Sequence, residues 1–519
     1  MKHAFKPLGI AAAVAAASAS YVNVANAQPS VANNALGDLA LVPYYTVNGE
    51  WITGIHIVNT SDATQVVKFR FRRAEDSLDA LDFNVVMSPQ DVYAGFLSDD
   101  ADGNINWSAD DTTCTVPATS NGVLTMPPIY REGAETGYVE IIAMGEADDD
   151  EPISIAAKHG STSLTPLDCD AVRSNFFQAA VDIDNDQTIQ DDTDLDLDED
   201  DDTDELLNDY TDSGNVLKVS YFHRDNATGI EFGDNAVHIQ DFLTRPAITN
   251  QQFGYLSGDL NGFDFPDLDG GSPTGAMPER NRFELLRASD VLGVGVLINE
   301  WTANAANGAA LDWVVTMPGQ YTMLNLPIYI TALADALDGE DSDDFVCAGT
   351  SESDAVEPTA LNLADDDENI YFCDFRDIPV TASISPYNRE ELAPTSPDGQ
   401  LVVSPQIPEL VSALRLEKET NVITFGGNSV LGVSDVDITA DLDQPFGWLT
   451  LGVSSWTGTT QSVCEWPNFN ASVSSLIALI SCSSVTGAVP MIGYAAWARQ
   501  VAANPDASYG RIVAHSFTS

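Results

Sequence analysis

Closely spaced aspartate and asparagine side chains are the residues of this sequence best suited to chemistry, because calcium prefers carboxylate and amide oxygens as ligands. Asp182, Asp184 and Asp186 have the spacing of the first three ligands in a helix–loop–helix calcium loop. Gln187 and Thr193 stand where such a loop requires glycine and glutamate. The segment therefore matches the calcium-loop pattern only in part.

Two further turns are rich in the same kinds of oxygen ligand, and they contain Asp100, Asp102 and Asn104 in one case and Asp259, Asn261 and Asp264 in the other. In the first turn Gly103 and Ile105 are correctly spaced for a calcium loop, but Ser98 and Ala109 occupy its end positions. Two interpretations stay open for all three segments. They bind Ca²⁺, or they are solvated acidic loops suited to salty water.

The cysteines form the second group with a chemical interpretation, and they stand at positions Cys114, Cys169, Cys347, Cys373, Cys464 and Cys482. An even number of cysteines in an exported chain predicts three disulfides, although six cysteines allow fifteen pairings. Proximity in sequence favours Cys114–Cys169, Cys347–Cys373 and Cys464–Cys482. The chain has no C-x-x-C motif, so nothing indicates zinc or thioredoxin-like chemistry.

Catalytic motifs are missing from the sequence. There is no G-x-S-x-G, H-E-x-x-H or P-loop pattern. His223, Arg224 and Asp225 repeat three letters of a kinase catalytic loop, but no glycine-rich loop accompanies them. With 79 acidic residues in the chain, the sequence does not single out a carboxylate pair for glycoside cleavage. We therefore predict that the protein is not an enzyme and has no catalytic residues.

The N-terminus has the organisation of a signal peptide. Lys2 and Lys6 precede an apolar run at residues 8–17, and the segment ends in an A-x-A pattern at residues 25–27. The run is shorter than the roughly 20 residues that span a bilayer, and no later run reaches that length without polar interruption. The sequence predicts a signal peptide at residues 1–27, no transmembrane segment, and export to the cell surface or extracellular space, with the periplasm as the other location.

The net charge of −58 results from 79 acidic residues against 21 Lys and Arg. Repulsion on this scale opposes compaction unless cations offset it. It also disfavours nucleic acid and anionic lipid as partners, because phosphates require a basic patch. The alternation in Lys68-Phe69-Arg70-Phe71-Arg72 predicts a strand with one basic face that pairs with local acids.

Short β-branched and aromatic runs recur about every ten residues, with Gly, Pro, Asn and Asp between them, as at residues 53–58, 65–71, 81–87 and 137–144. This pattern predicts an all-β protein of antiparallel, immunoglobulin-like β-sandwich domains with long acidic loop insertions. The predicted organisation has an N-terminal sandwich domain at residues 28–180, an Asp-rich acidic loop at 181–213, a central β domain at 214–340 and a C-terminal β domain at 341–519.

Six stretches, spread over nearly the whole mature chain, carry a resemblance to other proteins through their sequence and their order. They are LVPYYTVNG (41–49), residues 56–93, GDNAVHIQDF (233–242), residues 298–318, SISPYNREE (383–391) and residues 491–516. In these stretches the protein resembles a group of uncharacterised exported proteins of Gram-negative bacteria. The resemblance implies export and a β-rich fold, and it transfers no catalytic residue. The composition is also similar to that of surface-layer proteins.

Two classes of function are consistent with these features. The first is a structural or interaction protein of the cell surface, of the surface-layer, matrix or adhesion type, which self-associates or contacts other surface components. The alternative is a secreted carbohydrate- or polymer-binding protein or hydrolase that uses an aromatic platform. Candidate platform residues are Trp301, Trp313, Trp448 and Trp456.

Overall fold

The structure of the protein is a computed structural model. It covers residues 29–173 (without 76, 78, 129, 130 and 132), 210–243, 246, 248, 268, 272–273, 278–279, 291–302, 308–319, 359–361, 370–372, 380–388, 413–438, 446–453, 461–465, 481–485, 489–501 and 507–518. All structural statements below concern these residues.

Sheet I is the larger sheet of the first sandwich. Its strands are β1 (Ser30–Val31), β2 (Leu39–Thr46), β4 (Thr64–Arg73), β5 (Asp79–Met87), β8 (Cys114–Val116), β10 (Thr136–Ala147), β11 (Tyr210–Thr211) and β14 (Val237–Gln240). They are ordered β1-β14-β2-β10-β4-β5-β8, with β11 paired to β10. All of the pairings in sheet I are antiparallel.

Sheet II closes the first sandwich. Its strands are β3 (Trp51–Asn59), β6 (Val92–Asp99), β7 (Ile105–Ser108), β9 (Val123–Thr125), β12 (Leu217–Asp225) and β13 (Glu231–Asn235), in the order β13-β12-β3-β6-β7-β9. Alternate side chains of both sheets meet in one core, as the two-residue period of a strand requires. Its centre is aromatic: Phe69 and Phe83 stack with centroids 4.9 Å apart, and the buried Trp107 donates a 2.8 Å hydrogen bond to Tyr93.

Sheets III and IV form the second sandwich. Sheet III contains β17 (Val296–Thr302), β21 (Val380–Asn388), β22 (Ala413–Leu416), β25 (Phe446–Val453) and β30 (Ser516–Thr518). Sheet IV contains β18 (Ala309–Thr316), β23 (Thr420–Phe425), β24 (Val436–Ile438), β28 (Ile492–Arg499) and β29 (Tyr509–Ala514). Their orders are β22-β21-β25-β17-β30 and β24-β23-β18-β28-β29, and only the β23–β24 pair is parallel among their described pairings.

The central strands of sheet IV are buried on both faces. Trp313 and Val315 of β18 pack into the core shared with sheet III, whereas Val314 between them packs into the core of the first sandwich. This explains the apolar run Trp313-Val314-Val315 in β18, because a strand covered on both sides needs apolar residues at successive positions. The Thr316 hydroxyl also donates a 2.6 Å hydrogen bond to the Pro43 carbonyl of β2. The two sandwiches therefore share a core.

The remaining described elements are small. They are the helix α1 (Pro152–Ala157) and the two-stranded sheets β15–β16 (Ser272–Pro273 and Pro278–Glu279), β19–β20 (Thr359–Leu361 and Ile370–Phe372) and β26–β27 (Gln461–Glu465 and Ser481–Val485). No described helix is long and apolar enough to cross a membrane.

These sheets confirm the prediction of an all-β protein built from antiparallel sandwiches. The immunoglobulin-like topology stays a prediction. Strands on both sides of the predicted 181–213 acidic loop belong to the first sandwich, since β12 pairs with β3 and β14 with β2. The first sandwich therefore extends to residue 240, beyond the position at which the sequence predicted a central domain to begin.

One predicted disulfide lies within the described residues. Cys114 and Cys169 are bonded and hold the segment after α1 against β8, across a sequence separation of 55 residues. The Cys464–Cys482 bond stays a prediction, although the register of β26 and β27 places these two residues opposite each other. The predicted Cys347–Cys373 bond lies outside the described residues.

The basic face of β4 forms an ion cluster buried on sheet I, and its members are Lys68, Arg70, Arg72, Asp79, Asp82 and Glu140. Each of these side chains is at most 1% exposed. Three cations balance three carboxylates, which are contributed by the neighbouring strands β5 and β10. The prediction that this strand pairs with local acids is confirmed.

The register of the sheet explains the geometry of the ion cluster. Arg70 lies opposite Asp82 on one side and Glu140 on the other. Arg72 contacts Asp79 at 2.6 Å and Glu140 at 3.2 Å, and Lys68 contacts Asp82 at 2.9 Å. Because all six groups are removed from water, the loss of one cation leaves buried carboxylates uncompensated.

We expect Arg72→Met to lower the free energy of unfolding by about 3–5 kcal/mol, because it removes one partner from a buried ion network. The matched control is Arg224→Met, since Arg224 is 51% exposed and lies 3.8 Å from Glu231. That exposed pair contributes less than about 1 kcal/mol. Urea unfolding monitored by tryptophan fluorescence measures both values. Equal losses in the two variants would contradict the importance of the ion cluster.

Candidate functional site

A stacked pair of aromatic rings lies on the outer face of sheet III. β21 and β25 pair so that Tyr387 is opposite Trp448, and their ring centroids are 4.2 Å apart with planes inclined by 11°. Leu449 and Leu451 point into the core, so the alternation along β25 directs Trp448 outwards. Trp448 is 37% exposed. The strand pair therefore presents an indole ring to solvent on a rigid backbone.

The buried Trp301 of β17 fixes the backbone beneath this pair. Its indole N–H lies 3.3 Å from the carbonyl oxygen of Tyr387 and 3.2 Å from that of Trp448, and it donates to both. Trp301 itself packs in the core near Phe425, with a centroid separation of 6.3 Å. The backbone that carries the two stacked rings is therefore held from inside the sandwich.

A second aromatic pair lies at the edge of sheet IV. Trp497 and Tyr509 come from β28 and β29, and their centroids are 5.4 Å apart. The Arg511 guanidinium lies 5.1 Å from the Trp497 ring, a distance suited to a cation–π contact. Arg511 also donates a 2.6 Å hydrogen bond to the carboxylate of Glu300. This bond joins the edge of sheet IV to sheet III.

Glu300 connects the two aromatic pairs because it is opposite Trp448 in the register of β17 and β25. Pairwise contacts therefore link six residues in series, and we call this set the aromatic strip: Tyr387, Trp448, Glu300, Arg511, Trp497 and Tyr509. One aromatic pair lies at each end of the strip. Between the pairs lie the Glu300 carboxylate, which accepts hydrogen bonds, and the Arg511 guanidinium, which donates them. Such a surface suits a ligand with an apolar face and polar edges.

The turn between β6 and β7 contains the predicted calcium ligands Asp100, Asp102 and Asn104. Both oxygens of Asp100 accept hydrogen bonds, including those from the backbone N–H groups of Asp102 and Asn104, each at 2.9 Å. These hydrogen bonds lower the pKa of Asp100 to about 2, and the bond from the Asn104 side chain has the largest effect. The Arg131 guanidinium donates to the Asn104 side-chain oxygen. A calcium ion at this turn therefore competes with several existing donors.

The other two predicted calcium segments lie outside the described residues, and they contain Asp182, Asp184, Asp186, Asp259, Asn261 and Asp264. Within the described part of the chain, no three His, Cys, Asp or Glu side chains converge on a position that suits a metal ion. Calcium binding by the three segments stays a prediction.

The four tryptophans considered for an aromatic platform have different environments. Trp301 and Trp313 are buried in the core between sheets III and IV, and Trp448 is exposed. Trp456 lies outside the described residues. The alternation in β25 separates the faces of Trp448 and Leu449, but the sequence does not say which face meets water. Tyr387, Glu300, Arg511, Trp497 and Tyr509 were not predicted, because their proximity depends on long-range strand pairing.

Buried polar groups connect the two sandwiches. His223 of β12 lies 2.9 Å from the Tyr494 hydroxyl of β28 and 3.1 Å from the Thr53 hydroxyl of β3. Burial lowers the pKa of His223 to about 3, so the imidazole is neutral at physiological pH. A neutral ring that accepts from Tyr494 and donates to Thr53 satisfies both contacts. His223 therefore has a structural role between the sandwiches.

Asp312 of β18 holds the loop that follows β23. One of its carboxylate oxygens accepts hydrogen bonds from the Ser429 hydroxyl at 2.8 Å and from the backbone N–H groups of Val430 and Leu431 at 2.7 and 2.8 Å. Burial raises the pKa of Asp312 from 3.8 to about 7, although these hydrogen bonds oppose the shift. The carboxyl group is therefore protonated in the folded protein over a pH range in which the unfolded chain releases the proton.

No protein-family profile, no curated protein and no solved structure matches this chain.

We expect the difference in unfolding free energy between the protein and its Asp312→Asn variant to depend on pH. The protein should lose stability relative to the variant as pH rises from about 4 to about 7, and the difference should be constant above pH 7. The folded carboxyl keeps its proton in this window whereas the unfolded carboxyl loses it, so rising pH favours unfolding. Denaturant unfolding of both proteins across this pH range measures the difference. Parallel stability curves would show that Asp312 has an ordinary pKa in the folded state.

Proposed function

We propose that this protein is an exported structural or interaction protein of the cell surface, of the surface-layer, matrix or adhesion type. The observation that carries the proposal is the Cys114–Cys169 disulfide in the first sandwich of a chain with a net charge of −58. Disulfides persist in oxidising compartments outside the cytoplasm, and strong acidity suits an environment rich in cations. The signal-peptide pattern at residues 1–27 supports the same location.

The proposal includes self-association or contact with other surface components as the mode of action, without catalysis. We further propose that the chain is related to exported β-rich proteins of Gram-negative bacteria and that its strands have an immunoglobulin-like arrangement. Calcium is the proposed stabilising ion, bound mainly by the carboxylates of Asp182, Asp184 and Asp186, because these have the most complete ligand spacing.

We expect calcium to raise the melting temperature of the mature protein in a saturable way at fixed ionic strength, because binding to the folded state stabilises it. Replacing Asp182, Asp184 and Asp186 by Asn together should remove most of this shift. Replacing the exposed Asp148, Asp149 and Asp150 by Asn changes the net charge equally and should preserve the shift. Differential scanning calorimetry measures the transition, and light scattering measures particle size in the same samples.

Growth in particle size with calcium, together with accessibility of the protein to protease on intact cells, is the result expected of a surface assembly. If magnesium reproduces the stabilisation, or if both triple variants respond alike, the carboxylates act only through ionic strength. Retention of the protein in the cytoplasm would overturn the proposed surface location.

A further inference from the structure

We propose that the aromatic strip is a binding surface for a neutral polysaccharide, with pyranose rings packed against its two aromatic pairs. This inference rests on the proposed function, because polysaccharides are encountered outside the cell. It adds a ligand class and the residues that contact it.

The first argument is the match between the aromatic rings and a sugar ring. A pyranose has an apolar face of C–H groups and a rim of hydroxyls. Trp448 offers a flat surface that is 37% exposed, and Tyr509 at the other end of the strip is 49% exposed. Indole and phenol rings provide large contact areas with few rotatable bonds, so little side-chain entropy is lost on binding.

The second argument is the position of the ion pair. The side chains of Glu300 and Arg511 are 42% and 54% exposed, and they lie between the aromatic pairs. The Glu300 carboxylate can accept from sugar hydroxyls, and the remaining Arg511 N–H groups can donate to them. Since apolar patches lie on both sides of this pair, the surface fits an extended chain of several sugar rings better than a single small molecule.

The third argument is charge. A protein with a net charge of −58 repels a polyanion at long range, and the guanidinium of Arg511 is already paired with Glu300. The strip itself carries one negative and one positive group. These features favour an uncharged glycan over uronate-containing or sulfated polymers.

The fourth argument is rigidity. Tyr387 and Trp448 are stacked on each other across paired strands, and the Trp301 indole N–H holds both of their carbonyl oxygens. A prearranged aromatic surface loses little conformational freedom when a ligand binds.

The test is binding of the full-length mature protein to insoluble cellulose, chitin and a β-1,3-glucan, with alginate as the polyanionic comparison. We expect retention on at least one neutral polymer and none on alginate. Trp448→Ala should weaken binding roughly tenfold, the loss of one good aromatic contact. Tyr509→Ala should weaken it by a smaller factor, and Trp448→Tyr should restore most of the affinity. Binding to a neutral polymer should change little between about 0.1 and 1 M salt.

Phe96→Ala is the matched control, because Phe96 is 41% exposed on sheet II, away from the strip. It should bind like the unmodified protein. If Trp448→Ala does not fold, as judged by its melting transition, the Tyr509→Ala and Trp448→Tyr comparisons decide the question.

Failure to bind any neutral polymer, or equal binding by Trp448→Ala and Phe96→Ala, overturns the assignment. Loss of self-association in Trp448→Ala without any glycan binding identifies the strip as a protein interface and also overturns it. Neither result removes the proposed surface role, which is tested by protease accessibility on intact cells. Cytoplasmic retention of a protein that still binds glycan would overturn only that location.

Discussion

Burial of both faces of the central strands of sheet IV is the constraint on which the rest of the described structure depends. Val314 faces the first sandwich and its neighbours Trp313 and Val315 face sheet III, so β18 contributes to two cores at once. Polar contacts follow the same junction, including that from Tyr494 to His223. The outer surfaces of the molecule, including the aromatic strip, are held by sheets that cannot separate without exposing this apolar surface.

The buried charges of the ion cluster are balanced, although the chain as a whole is strongly acidic. The chain has 21 Lys and Arg residues, and three of them, Lys68, Arg70 and Arg72, are buried in the ion cluster. Each is balanced by carboxylates from adjacent strands, so the cluster adds nothing to the net charge of the interior. The excess of acid in the sequence lies outside this cluster, and dissolved cations reduce the repulsion between exposed carboxylates. An extracellular setting with abundant cations suits such a molecule.

Much of the architecture could be predicted because it is local. Two-residue alternation identified the strands, and the pattern in Lys68 to Arg72 identified a basic face together with its acidic surroundings. The alternation could not show that β12 and β14 complete the first sandwich, because strand partners are chosen by long-range packing. The aromatic strip could not be predicted for the same reason: Tyr387 pairs with Trp448, and Trp497 with Tyr509, only through the order of the strands in sheets III and IV.

Native-state hydrogen exchange tests most directly whether the two sandwiches form one unit through sheet IV. Amides of β2 in the first sandwich and of β18 in the second should open with the same free energy, equal to that of global unfolding. Sheet IV cannot open alone without exposing the core of its neighbour. Exchange of β18 at a clearly lower free energy than β2 would show that the second sandwich unfolds independently, and it would contradict the shared core as the basis of the structure.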